Sequence, residues 1–163
     1  MKKIILVAVL LMAVSVASFA GSTTATATAT VNAANVSIKK TADLALGSLN
    51  QGAFVSIAAT ATGAAAFSVT GGNAVPTLVA ITYPGTLANG SNTMTFTSVG
   101  AGYQNSGGAA DQSTQSAFTV ATGGTVTSAS DGSLYLWVGG KVTATATQAP
   151  GSYTGTLTIT VTQ

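Results

Sequence analysis

Thr156-Leu157-Thr158-Ile159-Thr160-Val161-Thr162 alternates threonine with an aliphatic residue without a break. At a period of two, Leu157, Ile159 and Val161 share one face of an extended chain and the threonines share the other. A helical period would scatter them around the axis. The stretch predicts a half-buried strand, and its β-branched residues favour the same geometry. The pattern recurs at residues 24–31, T-A-T-A-T-A-T-V, where Ala25, Ala27, Ala29 and Val31 fall together. It recurs at 141–147 with Val142, Ala144 and Ala146.

Working outward, strand-like runs stand at 54–60, 66–70, 77–83, 93–99, 116–120 and 133–138. Turn chemistry separates them. Asn89-Gly90 and Asp131-Gly132 suit tight hairpin turns, and Pro84-Gly85 and Pro150-Gly151 suit type II turns. The glycine pairs at 71–72, 107–108, 123–124 and 139–140 predict loops or bends, and the polar, glycine-rich stretch 100–115 predicts an exposed loop. Short strands at regular spacing with turns between them predict an all-β sandwich.

The N-terminus carries an export pattern. Lys2 and Lys3 precede an apolar run from residue 4 to residue 14, and Ser18-Phe19-Ala20 supplies small residues at −3 and −1 before Gly21. The run is shorter than the roughly 20 apolar residues needed to span a bilayer. Residues 1–20 are therefore expected to form a signal peptide cleaved near Ala20, with Ala17 as the alternative site. Residues 21–163 are expected to form a single secreted domain without a membrane anchor. In that part Lys39, Lys40 and Lys141 balance Asp43, Asp111 and Asp131, so the net charge is zero. No basic patch for nucleic acid is present, and little charge repulsion opposes self-association.

The missing residue types exclude more than the present ones suggest. The chain has no His, Cys, Glu or Arg. Tuned histidines, carboxylate pairs and activated nucleophiles, the usual means of acid–base and covalent catalysis, have little to draw on. The Cys and His that dominate zinc sites are missing. No catalytic residue, cofactor or metal is expected. Without cysteine, disulfides cannot brace the fold, so strand pairing and packing must hold it.

Two elements carry a family resemblance. One is Lys40-Thr41-Ala42-Asp43-Leu44-Ala45-Leu46-Gly47, preceded by the Ala-Thr strand. The other is Val138-Gly139-Gly140-Lys141-Val142 followed by Pro150-Gly151-Ser152-Tyr153-Thr154-Gly155 and the closing alternation. Together they resemble the DUF4402 family of secreted bacterial domains. That family is similar in layout to pilin and adhesin domains, including the spore coat protein U-type pilus proteins. The resemblance implies an immunoglobulin-like β-sandwich of about seven to nine strands and a cell-surface, fimbrial or adhesive setting. Family members often end on an aromatic residue, where this chain ends on Gln163.

Two candidate surfaces follow. Ala25, Ala27, Ala29 and Val31 have the position and period of a strand donated to a neighbouring copy. Alternatively, the strand closes its own sandwich, since each buried methyl contributes only about 0.8 kcal/mol. Tyr135 and Trp137 alternate with Leu134, Leu136 and Val138, so they could form an aromatic glycan or surface contact, or pack as core. Tyr153 is expected to fasten a loop corner with its hydroxyl, and Asp43 to pair with Lys40. The leading expectation is a non-enzymatic subunit of an extracellular fibre, pilus or surface layer, self-assembling by strand addition. A periplasmic chaperone and usher are candidate partners. The rival is a monomeric glycan-binding adhesin module using Tyr135, Trp137 and the 100–115 loop.

Overall fold

The computed structural model describes the backbone of residues 21–31 and the whole of residues 36–119 and 122–163. The expected signal peptide lies outside the described residues. The chain is all-β, apart from one 3₁₀ turn at Gln112–Thr114. Twelve strands are formed among the described residues, where seven to nine are expected: β1 (Gly21–Val31), β2 (Ser37–Ala42), β3 (Leu44–Leu49), β4 (Phe54–Ile57), β5 (Ala65–Thr70), β6 (Pro76–Thr82), β7 (Thr86–Asn89), β8 (Asn92–Gln104), β9 (Ser116–Ala117), β10 (Gly123–Thr127), β11 (Ser133–Thr143) and β12 (Tyr153–Thr162).

Pairing arranges the strands around two long ones. β12 pairs with β6 and, at Thr154–Ala88, with β7; β10 extends that side beyond β6. β1 lies along the remaining side of β12, and β3 pairs with β1. The second centre is β11, flanked by β8 on one side and by β5 and β4 on the other, with β2 beyond β5. β3 packs on β11 and β5 without pairing with them, so the two groups of strands stack as layers. Between them lie Leu44 and Leu46 of β3, Phe67 and Val69 of β5, Val79 and Ile81 of β6, Leu134, Leu136 and Val138 of β11, and Leu157, Ile159 and Val161 of β12. Alternation puts these residues inward and leaves threonines such as Thr82, Thr97 and Thr156 exposed.

Several expectations need correcting. Gly139-Gly140 is not a loop but lies within β11, where Val99 and Gly100 of β8 oppose Gly139 across a β-bulge. Gly100 supports the bulge with φ +118, which glycine tolerates without a Cβ clash. The stretch 100–115 is likewise not all loop, because β8 runs on to Gln104. Gly85 does not adopt the positive φ of a type II turn. β11 ends at Thr143, although Ala144 N–H still donates to Ala53 C=O at 2.9 Å. The Asn89-Gly90 hairpin does form: Asn89 pairs with Asn92, and Gly90 at φ +59 begins a two-residue loop.

A Cβ on Gly139 would strike the Ile57 carbonyl and the backbone of Ala58 and Ala59. Gly139→Ala is therefore expected to displace the end of β4 and destabilise the fold by about 1–3 kcal/mol, measured as a lower urea midpoint with an unchanged m-value.

Candidate assembly strand and its surroundings

β1 is the first described strand and occupies a slot between the last strand and β3. Nine consecutive residues, Thr23 through Val31, pair in parallel with Tyr153 through Val161. On the opposite edge Gly21 to Ala25 pair antiparallel with β3, with a register shift between Thr23 and Thr24. Ala25, Ala27, Ala29 and Val31 thus stand at the register positions of Gly155, Leu157, Ile159 and Val161. The last three of those are among the most deeply buried side chains. The pairing is parallel, unlike every other strand pair among the described residues. This chain therefore closes its own sandwich with the strand that sequence reasoning offers as a donor.

Tyr153 begins β12 and is 1% exposed. Its hydroxyl donates to the Ala149 carbonyl at 2.7 Å and accepts from Gln148 Nε2 at 2.7 Å. Gln148 Nε2 also donates to Thr93 C=O at 3.0 Å. The expected corner fastening is present. At the other end of β12, Gln163 Oε1 accepts from Gly72 N–H and its Nε2 donates to Thr77 Oγ1. Both ends of the strand are thereby tied to neighbouring loops. A cavity of about 410 Å3 adjoins the first end, with walls from Leu49, Asn50, Gln51, Met94, Gln148, Ala149 and Tyr153.

For Trp137, burial favours the core-packing reading over the glycan contact. At 5% exposure it offers a sugar almost no ring surface. The segment expected to hang free as a loop instead folds back over this face of the sheet. Gln112 and Gln115 both donate from Nε2 to the Ala59 carbonyl, at 2.5 and 2.9 Å. The Gln115 side chain also lies against Gly102, the β8 partner of Trp137. Tyr135 is half-buried, and its hydroxyl donates to the Gly108 carbonyl at 2.8 Å. It therefore works as a loop anchor. Asp131 holds the same loop, accepting from Gly108 N–H at 3.2 Å and from the N–H and hydroxyl of Ser133 at 2.9 and 2.6 Å. Those donors, the Ser133 hydroxyl foremost, keep its carboxyl below the usual carboxylate range.

The exposed aromatic is one that the alternation in 54–57 could have revealed, because Phe54 takes the parity opposite to the inward Val55 and Ile57. Phe54 is 62% exposed, with Lys141 Nζ 4.4 Å from the ring centroid. Leu78 is 51% exposed on β6. Lys40 and Asp43 pair as expected at 2.6 Å. Among the described residues no three His, Cys, Asp or Glu side chains gather to hold a metal, and no helix is long and apolar enough to cross a membrane. Compared with known proteins, the chain matches no family model and no curated protein.

Tyr153→Phe strips Ala149 and Gln148 of a hydroxyl partner and is expected to cost about 1–3 kcal/mol in chemical denaturation. The Asp131 anchor has its own pH signature. Its carboxyl pKa is lower in the folded protein, so the anchoring is complete above the ordinary carboxylate value and lost as pH falls through the depressed one. Amide exchange at Gly108, corrected for intrinsic rates, is expected to accelerate over that acidic window, and Asp131→Asn to remove the pH dependence.

Proposed function

We propose that this protein is a secreted, non-enzymatic structural subunit that assembles at the cell surface by exchanging β1 between copies. The observation that carries the reading is the placement of β1. It is the first described strand, it continues into the rest of the domain only through residue 31, and it fills a slot whose two walls belong to β12 and β3. Such a strand can leave and be replaced without any loop being threaded, which is the requirement for a swap between identical protomers. Its replacement by the same strand from another copy restores every backbone pair in the slot.

Composition supports the same reading. The export pattern of residues 1–20, the absence of His, Cys, Glu and Arg, and a balanced charge in residues 21–163 suit an extracellular building block better than a catalyst. The DUF4402-like elements point to the same setting and to an immunoglobulin-like version of the sandwich. A chaperone that holds the slot before assembly fits this scheme. The glycan-binding alternative is weakened by the burial of Trp137.

Sheared surface material run unboiled on an SDS gel should give a ladder that collapses to one band on boiling. Deleting residues 22–31 should abolish the ladder. Because that deletion could unfold the domain, a second variant locks the strand instead. Thr28→Cys with Thr158→Cys joins two register partners in a chain that has no other cysteine. The ladder should vanish when this disulfide forms before assembly and return when it is reduced first. A single monomer band in every lane of the wild type would refute strand exchange.

A further inference from the structure

The outward side of β12 carries threonine at alternate positions, Thr154, Thr156, Thr158, Thr160 and Thr162, opposite in parity to the buried Leu157, Ile159 and Val161. All five reach solvent, and among the described residues none of their hydroxyls makes a hydrogen bond within the protein. On one edge of β12, the register partners of Thr154, Thr156, Thr158 and Thr160 are positions 24, 26, 28 and 30 of β1, each of them a threonine. On the other edge Thr82 stands opposite Thr158, Ala80 opposite Thr160 and Leu78 opposite Thr162, and all three β6 residues are exposed. Side chains on this face therefore repeat about every 6.6–6.8 Å along a strand and about every 4.7–4.9 Å from strand to strand. Parallel pairing spaces the ladder evenly, whereas antiparallel pairing alternates close and wide pairs. The β1–β12 half of the array is thus the more regular one.

The chemistry of the face narrows what it can hold. The charged side chains of residues 21–163 all lie elsewhere: Lys39 and Lys40 on β2, Asp43 just after it, Lys141 on β11, and Asp111 and Asp131 outside the strands. A ligand recognised by charge has no partner here. β12, β6 and β10 present no outward aromatic ring or arginine, the usual anchors of a sugar or protein contact. What remains is a two-dimensional array of unpaired hydroxyls, each with a methyl beside it. Water on such an array is hydrogen-bonded by the hydroxyls and ordered around the methyls, so it takes the period of the array. The oxygen rows of hexagonal ice repeat at distances close to those two spacings. We propose that the threonine face of β12, continued by β1 and β6, binds the surface of ice. The lack of charge follows from that role, because an ammonium or carboxylate would impose its own hydration shell on the lattice. This inference does not rest on exchange between copies, since β12 keeps its threonines whichever protomer supplies β1.

The test follows the growth of ice grains in a frozen sucrose solution containing the purified protein at micromolar concentration. The wild type should arrest recrystallisation and shape single crystals into facets. Thr158→Lys puts a hydrated charge in the middle of the array and should lower potency about tenfold or more. Ala110→Lys, on the loop that covers Trp137, adds the same charge away from the face and should leave potency unchanged. Urea midpoints check that each variant folds. If Thr158→Lys does not, Thr158→Tyr decides, because tyrosine is favoured in strands and its bulk alone breaks the flat contact. Its potency should fall as far. Ice that grows as it does in buffer alone would overturn the proposal, and so would equal potency in wild type and the folded Thr158 variants. Retention on insoluble cellulose or chitin, abolished by the same substitutions and with no effect on ice, would overturn it in favour of a crystalline polysaccharide.

Discussion

The pairing of β12 along both of its edges is the interaction on which the rest of this structure depends. On one side it holds β6 and touches β7; on the other it holds β1 through nine successive positions. Its inward residues Leu157, Ile159 and Val161 are fully covered, and hydrogen bonds from Tyr153 and Gln163 fix its ends. A strand paired on one edge alone presents unsatisfied backbone groups and an open template. β12 escapes that condition only while β1 is present. The stability of the core and the accessibility of the slot are therefore two aspects of one contact.

The composition explains why backbone pairing bears so much of the load. There are no disulfides, and Lys40–Asp43 is the one ion pair among the described residues, an exposed one of little energetic weight. Threonine and alanine bring little apolar area per residue, so larger side chains are concentrated on the inward faces of β5, β11 and β12. Small residues compensate by permitting close approach. Any Cβ at Gly140 would enter the Phe96 ring, and one at Gly155 would meet Leu87. Glycine in these strands is thus a packing residue as much as a turn residue.

That dual use marks the limit of what the sequence reveals. The alternation at 156–162, the Tyr153 corner and the Asn89-Gly90 hairpin were legible because each is a local pattern with one physical solution. Gly139-Gly140 was misleading, because a glycine pair within a bulged strand reads the same as a glycine pair in a loop. β2 and β3 escaped notice because Lys40–Asp43 interrupts the apolar pattern where one strand follows the other. β10 begins on Gly123-Gly124, a signature of loops. The choice between the two readings of Trp137 was hidden for a tertiary reason: the glutamine-rich segment that returns across its face is bound through Ala59 and Gly108, contacts between residues far apart in the chain. The position of the candidate donor strand was legible, but not its parallel seat beside β12.

The modest apolar content of β1 bears directly on exchange. In the closed monomer and in an exchanged assembly the same strand meets the same slot, so their contact energies cancel in the comparison. What remains is the constraint on the segment between β1 and β2, the loss of translational freedom on association, and the effective concentration of each copy's own strand. A strand rich in large apolar residues would not alter that balance, but it would raise the barrier to leaving the slot. An alanine-threonine strand lowers it, because local opening costs least where little apolar surface is buried. The small side chains of β1 would therefore suit the proposed exchange kinetically without deciding its equilibrium. Under the proposed exchange, crowding of neighbouring copies that compete with the chain's own strand would be the variable that selects the assembled form.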